Sequence, residues 1–112
     1  MAAVPFAAVA LSTILAAPAM AATGPSMIQN GNSVNIAAQG PDHTLRFYWA
    51  VNGTATWHPE TVAGPGRTFS APSIIQNGNS VNITAQGPAA TLRFYWAVNG
   101  TATWHPETVG TI

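Results

Sequence analysis

The sequence predicts an all-β protein of two four-stranded antiparallel units, preceded by a signal-peptide helix. Three observations carry this expectation. The first is a self-repeat: Ser26 to Val62 aligns without gaps to Ser73 to Val109, an offset of 47 residues, and the copies differ only at Met27/Ile74, Ala37/Thr84, Asp42/Ala89 and His43/Ala90. A fixed period of this size marks a chain built from stacked supersecondary units. The second is turn punctuation, with Asn30-Gly31, Asn52-Gly53, Asn77-Gly78 and Asn99-Gly100 at matching places in the two copies. Such dipeptides accept positive φ and favour tight hairpins. The third is two-residue alternation between those turns, in segments rich in β-branched and aromatic residues.

Within one repeat the elements follow in order. A short strand is expected at Ser26 to Gln29. Ser33 to Gln39 alternates, with Val34, Ile36 and Ala38 on one face and Ser33, Asn35 and Gln39 on the other. Gln39-Gly40-Pro41 and Gln86-Gly87-Pro88 mark the next turn. Thr44 to Val51 is the aromatic strand: Leu45, Phe47, Trp49 and Val51 share one face, and Arg46, Tyr48 and Ala50 share the other. A fourth strand is expected at Thr56 to Val62, where Pro59 requires an edge or a bulge. Ala63 to Pro72, with Gly64-Pro65-Gly66, reads as the linker.

Four short strands in about 40 to 50 residues is the pattern of a β-propeller blade. The organisation expected is a signal peptide at 1–21, a first blade with its linker at 22–66, and a second blade at 67–112. Propellers typically use about four to eight blades, so two make a partial propeller. The chain is therefore expected to form a homo-oligomer, or to need further repeats to close a ring.

Composition narrows the partners. Three basic and three acidic side chains give a formal charge of zero, and charged residues are 5% of the chain. Nucleic acid is not an expected partner, because three Arg and no Lys supply too few phosphate contacts. Four Trp, four Phe and two Tyr within 47% hydrophobic content argue for a folded β protein. Cysteine is absent, so no disulfide or thiolate site is expected.

Residues Met1 to Ala22 read as a secretory leader. The apolar stretch through Val4, Phe6, Val9, Leu11, Ile14 and Leu15 ends in Ala19-Met20-Ala21, which fits the small-residue cleavage pattern after Ala21. Pro5 and Pro18 interrupt the run, which is short for a span of about 20 residues. The expected location is extracellular, with no membrane association once cleaved.

The repeat resembles the bacterial and fungal fucose-binding β-propeller lectins. The residues that carry the resemblance are Ala71-Pro72-Ser73, the strand ending in Gln-Gly-Pro, the aromatic Leu-Arg-Phe-Tyr-Trp, and Asn-Gly-Thr-Ala-Thr-Trp-His-Pro-Glu-Thr-Val-Ala-Gly. Trp57/Trp104 and Glu60/Glu107 match the family's Trp and acidic positions; Pro59 and Pro106 stand where the family often carries a second Trp. The resemblance implies a lectin-like propeller with sugar pockets between adjacent blades.

A sugar site needs an aromatic surface for the ring's C–H face and a few fixed polar groups for its hydroxyls. Each repeat offers both. The candidate sugar-binding residues are Arg46, Tyr48, Trp57, His58 and Glu60, with Arg93, Tyr95, Trp104, His105 and Glu107 in the second copy. The Arg and Glu of one repeat read equally as ligand contacts or as an ion pair holding strands or blades together. Trp49 and Trp96 share the apolar face and read as core. His43 and Asp42 are not repeated, so a recurring site cannot depend on them.

No catalytic set, metal site or cofactor is expected. The two Glu occupy equivalent places in separate repeats, which suits repeated binding better than an acid and base pair. No nucleophile-elbow or phosphate-loop spacing occurs. The expected function is weak, multivalent carbohydrate binding. The alternative is a structural or protein-interaction propeller fragment, or a truncated piece of a larger secreted repeat protein.

Overall fold

The computed structural model describes residues 24–112. The expected signal-peptide helix and its cleavage site lie outside the described residues. The first repeat forms β1 (Ser26–Asn30), β2 (Ser33–Gln39), β3 (Leu45–Val51) and β4 (His58–Ala63). The second forms β5 (Ser73–Asn77), β6 (Ser80–Gln86), β7 (Thr91–Val98) and β8 (His105–Thr111). Each set is one antiparallel meander, in the orders β1-β2-β3-β4 and β5-β6-β7-β8.

The turns differ in kind from the Asn-Gly hairpins expected. Asn30 pairs with Ser33, so the first hairpin turns at Gly31-Asn32, one residue later than the dipeptide suggests. Gly31 has φ +55 and Asn32 is not left-handed, the φ pattern of a type II′ turn, whose first central position favours Gly. At Asn52-Gly53 the positive φ falls on the second residue (+83), and Thr54 N–H donates to Val51 O at 3.0 Å. This is a type II turn opening the loop 52–57, not a two-residue hairpin. The Gln-Gly-Pro turn needs glycine for space: a Cβ on Gly40 would lie 2.5 Å from Thr44 Oγ1 and 2.7 Å from Arg46 Cγ.

Register fixes what each sheet face carries. In the first unit Ala37 and Glu60 flank Phe47, and Asn35 and His58 flank Trp49. These residues, with Ile28 opposite Asn35, form a tryptophan face. The alternate residues form a tyrosine face: Met27, Ile36, Tyr48 and Pro59 in one row, and Ala38, Arg46 and Thr61 in the next. A register shift at Leu45/Arg46 carries β4 on to Ala63, one residue beyond the expected end, and β4 is the edge strand that Pro59 requires.

The two sheets stack with β1 and β2 against β5. The tryptophan face of the first unit meets the tyrosine face of the second: Ala37, Leu45 and Phe47 form one cluster with Ile74, Val81, Ile83 and Tyr95. Consequently the polar row of β2 is buried at Asn35 and Ala37, while Val34 and Ile36, on the outer face, are half-buried. Equivalent residues therefore differ by position in the stack. Ile74 is 4% exposed and Met27, its counterpart, 67%; full burial of such a side chain contributes about 1.5–3 kcal/mol.

The linker also has structure. His43 stacks on Phe69 with ring centroids 4.3 Å apart, and its carbonyl accepts from Arg67 N–H and Thr68 N–H at 3.0 Å each. Thr68 is completely buried, and its hydroxyl has no hydrogen-bond partner among the described residues. The unrepeated His43 thus braces the crossing between the units.

Candidate functional site

A groove between the units has a volume of about 510 Å³. Its first wall is the tryptophan face of unit one, with Phe47, Trp49, Glu60, Asn35 and the hairpin Asn30-Gly31. Its second is the loop from Val98 to Trp104 together with Val81 and Ala97. The β2–β3 pairing aims Trp49 and Asn35 the same way, and the loop 99–104 carries Trp104 across to the other unit.

Glu60 joins the walls. Its Oε2 accepts from Trp49 Nε1–H at 3.1 Å, and its Oε1 accepts from Trp104 Nε1–H at 2.9 Å. A carboxylate has about four lone-pair positions, so both oxygens retain accepting capacity toward a hydroxyl in the groove. Trp104 meets Phe47 edge to face with centroids 5.0 Å apart, and His58 stacks on Trp49 at 4.1 Å. The amides line up at the rim: Asn30 Nδ2–H donates to Asn35 Oδ1 at 2.8 Å and to Asn99 Oδ1, on the second unit, at 3.2 Å. Indole surfaces, amides and one carboxylate can hold a neutral, hydroxyl-bearing ring by stacking and hydrogen bonds.

The residues expected to work together in each repeat divide between the two sheet faces. Glu60 pairs across from Phe47, whereas Arg46 pairs across from Thr61, so Arg46 and Glu60 point to opposite sides and form no ion pair. Arg46 instead donates to Thr61 Oγ1 and holds its guanidinium carbon 5.7 Å from the Tyr48 ring centre, on the outer face of unit one. Arg93 and Tyr95 repeat this arrangement with Thr108. Tyr95 is 2% exposed. The pair borders a second, smaller cleft of about 250 Å³ with Arg67, Val62 and Ala63.

Of the ten candidate residues, Glu60 and Trp104 meet in the large groove, and they come from different units. His58 lies beside it on Trp49. Trp57 stands 45% exposed on the outer side of unit one. His105 stacks on Trp96 at 4.0 Å, and Glu107 accepts from Trp96 Nε1–H at 3.0 Å, both on the outer face of unit two. Sequence reasoning offered Trp49 as an aromatic surface but weighed it toward the core, and missed Asn35 and the Asn30–Asn99 contact. Trp49 reads as core because its strand neighbours are apolar; the available signal was a polar Asn35 inside a strand, repeated as Asn82.

Fold and groove together define a tandem all-β chain with an aromatic and amide cleft where its repeats meet. Compared with protein-family models and with curated proteins, the chain matches none.

Proposed function

We propose that this chain is an exported, non-catalytic carbohydrate-binding protein in which each four-stranded unit is a propeller-type blade and the sugar seats in the groove between adjacent blades. The observation that carries the reading is the meeting of Trp49, Trp104 and Glu60 from two units around a cavity of about 510 Å³, within the usual range for small-molecule sites, about 300–1,000 Å³. The ligand class follows from the lining. Glu60 is its single charged residue, and the remaining polar groups are amides and hydroxyls, which suits neutral monosaccharide units such as fucose. The apolar leader, Met1 to Ala22, supports export. Weak sites repeated along an array gain avidity without new contacts.

The test is titration calorimetry and a glycan array with fucose and related neutral monosaccharides. Binding lost in Trp104→Ala and kept in Arg46→Ala is the expected result. No binding to any glycan by the folded chain would sink the proposal. The second reading, a structural or protein-docking propeller fragment, is favoured by the engagement of both Glu60 oxygens in holding the units together; it predicts a folded chain silent on every glycan.

A further inference from the structure

The joint between the two units is asymmetric, and the repeat leaves one unused copy of each half on the outside. Unit one meets unit two with its tryptophan face, and unit two answers with its tyrosine face and Trp104. The outer face of unit two therefore carries a second tryptophan face, with Phe94, Trp96 and Glu107. The outer face of unit one carries a second tyrosine face, with Met27, Tyr48 and Trp57.

Exposure follows this division residue by residue. Phe47 is 5% exposed, and Phe94 is only half-buried. Tyr95 is 2% exposed, and Tyr48 is half-buried. Met27 and Ile75 are 67% and 56% exposed, whereas their counterparts Ile74 and Ile28 pack in the joint. The polar clasp is divided in the same way. Glu107 Oε2 already accepts from Trp96 Nε1–H at 3.0 Å, as Glu60 Oε2 does from Trp49. Among the described residues, no indole does for Glu107 what Trp104 does for Glu60 on Oε1, and Trp57 donates to no carboxylate.

We propose that a second copy of this chain docks head to tail on these faces, with Trp57 of one copy donating its indole N–H to Glu107 of the other. The contact continues the internal joint with the hydrogen-bond partners already seen between Trp104 and Glu60, with Met27 standing in the place of Ile74 and Thr84 in the place of Ala37. It also completes a second groove, to which the two copies contribute the Glu107 wall and the Trp57 wall. Because the two faces differ, the contact is heterologous, and repetition gives a ring where the rotation closes. A ring of about four to eight units corresponds to two to four copies. This inference does not rest on the sugar reading; a chain that binds no glycan still assembles.

The experiment is the solution mass of the full chain by sedimentation velocity. The wild type is expected at a discrete multiple of the chain mass, and Trp57→Ala and Glu107→Ala each at the mass of one chain. A one-to-one mixture of the two variants retains one intact joint per pair and is expected to form a two-chain species. A wild type at the mass of one chain, or variants unchanged from it, overturns the proposal. Should both variants unfold, the cysteine-free sequence permits a second measurement: Met27→Cys with Ile75→Cys in one chain is expected to yield covalent multimers on oxidation. Each single-cysteine variant stays uncrosslinked if the joint is head to tail. Only monomer from the double variant, or efficient dimer from a single one, overturns it.

Discussion

Removing the Glu60 carboxylate isolates the contribution of the inter-unit clasp. Glu60→Ala deletes two charge-assisted hydrogen bonds, at 3.1 Å to Trp49 and 2.9 Å to Trp104. Bonds to charged groups contribute about 1.5–3 kcal/mol each. The groove is open to water, so the freed indole N–H groups recover part of that, and the expected loss is about 2–4 kcal/mol. Glu60→Gln keeps one carbonyl acceptor but turns an amide N–H toward the other indole, and should cost roughly half as much. Glu107→Ala removes one bond on an exposed residue and should cost the least. The series belongs in a Trp57→Ala background, where the outer joint is absent and Glu107 keeps its single partner. Urea denaturation followed by tryptophan fluorescence reads the three midpoints, with the slope m as a check that unfolding exposes the same surface. Equal losses at Glu60 and Glu107 would refute the assignment of Glu60 as the link between the units.

Other consequences follow from the linker and the turns. Thr68→Val replaces a buried hydroxyl that lacks a partner and should raise stability by about 1 kcal/mol, read as a higher urea midpoint. Ala89 holds φ +57 where the first repeat has Asp42 at the same angle. Ala89→Asn should add on the order of 0.5–1 kcal/mol, because Asn tolerates the left-handed region better than Ala; a lower midpoint would contradict this. Gly87→Ala places a methyl 2.6 Å from both Arg93 Cγ and Thr91 Oγ1 and should lower stability by about 1–3 kcal/mol, whereas Gly24→Ala, with open space around it, should be neutral in the same assay.

The strands were legible in the sequence because alternation and turn residues are local signals. β2 spans Ser33–Gln39 as the pattern indicates, and β3 begins at Leu45, one residue inside the expected segment. Pro59 restricts β4 to an edge or a bulge, and β4 lies at an edge. The site was less legible, because it depends on register across the loop 52–57. That register sets Glu60 beside Phe47 and Trp49, and Arg46 beside Thr61; shifting it by one residue would exchange the faces. Nor does a single repeat indicate which face meets its neighbour. Both faces carry apolar residues, and only the stack shows that Asn35 is buried while Val34 is not. The pairing of Glu60 with Trp104 spans 44 residues between units, a distance over which no spacing rule operates.

The central claim, that the groove between the units is the binding site, is tested most directly by following the four indole N–H resonances of ¹⁵N-labelled protein during titration with fucose and related neutral monosaccharides. The account predicts saturable shifts at Trp49 and Trp104, lost from Trp49 when Trp104 is replaced by Ala. Shifts at Trp57 and Trp96 with none at Trp49 and Trp104, or no shift with any sugar, would contradict it.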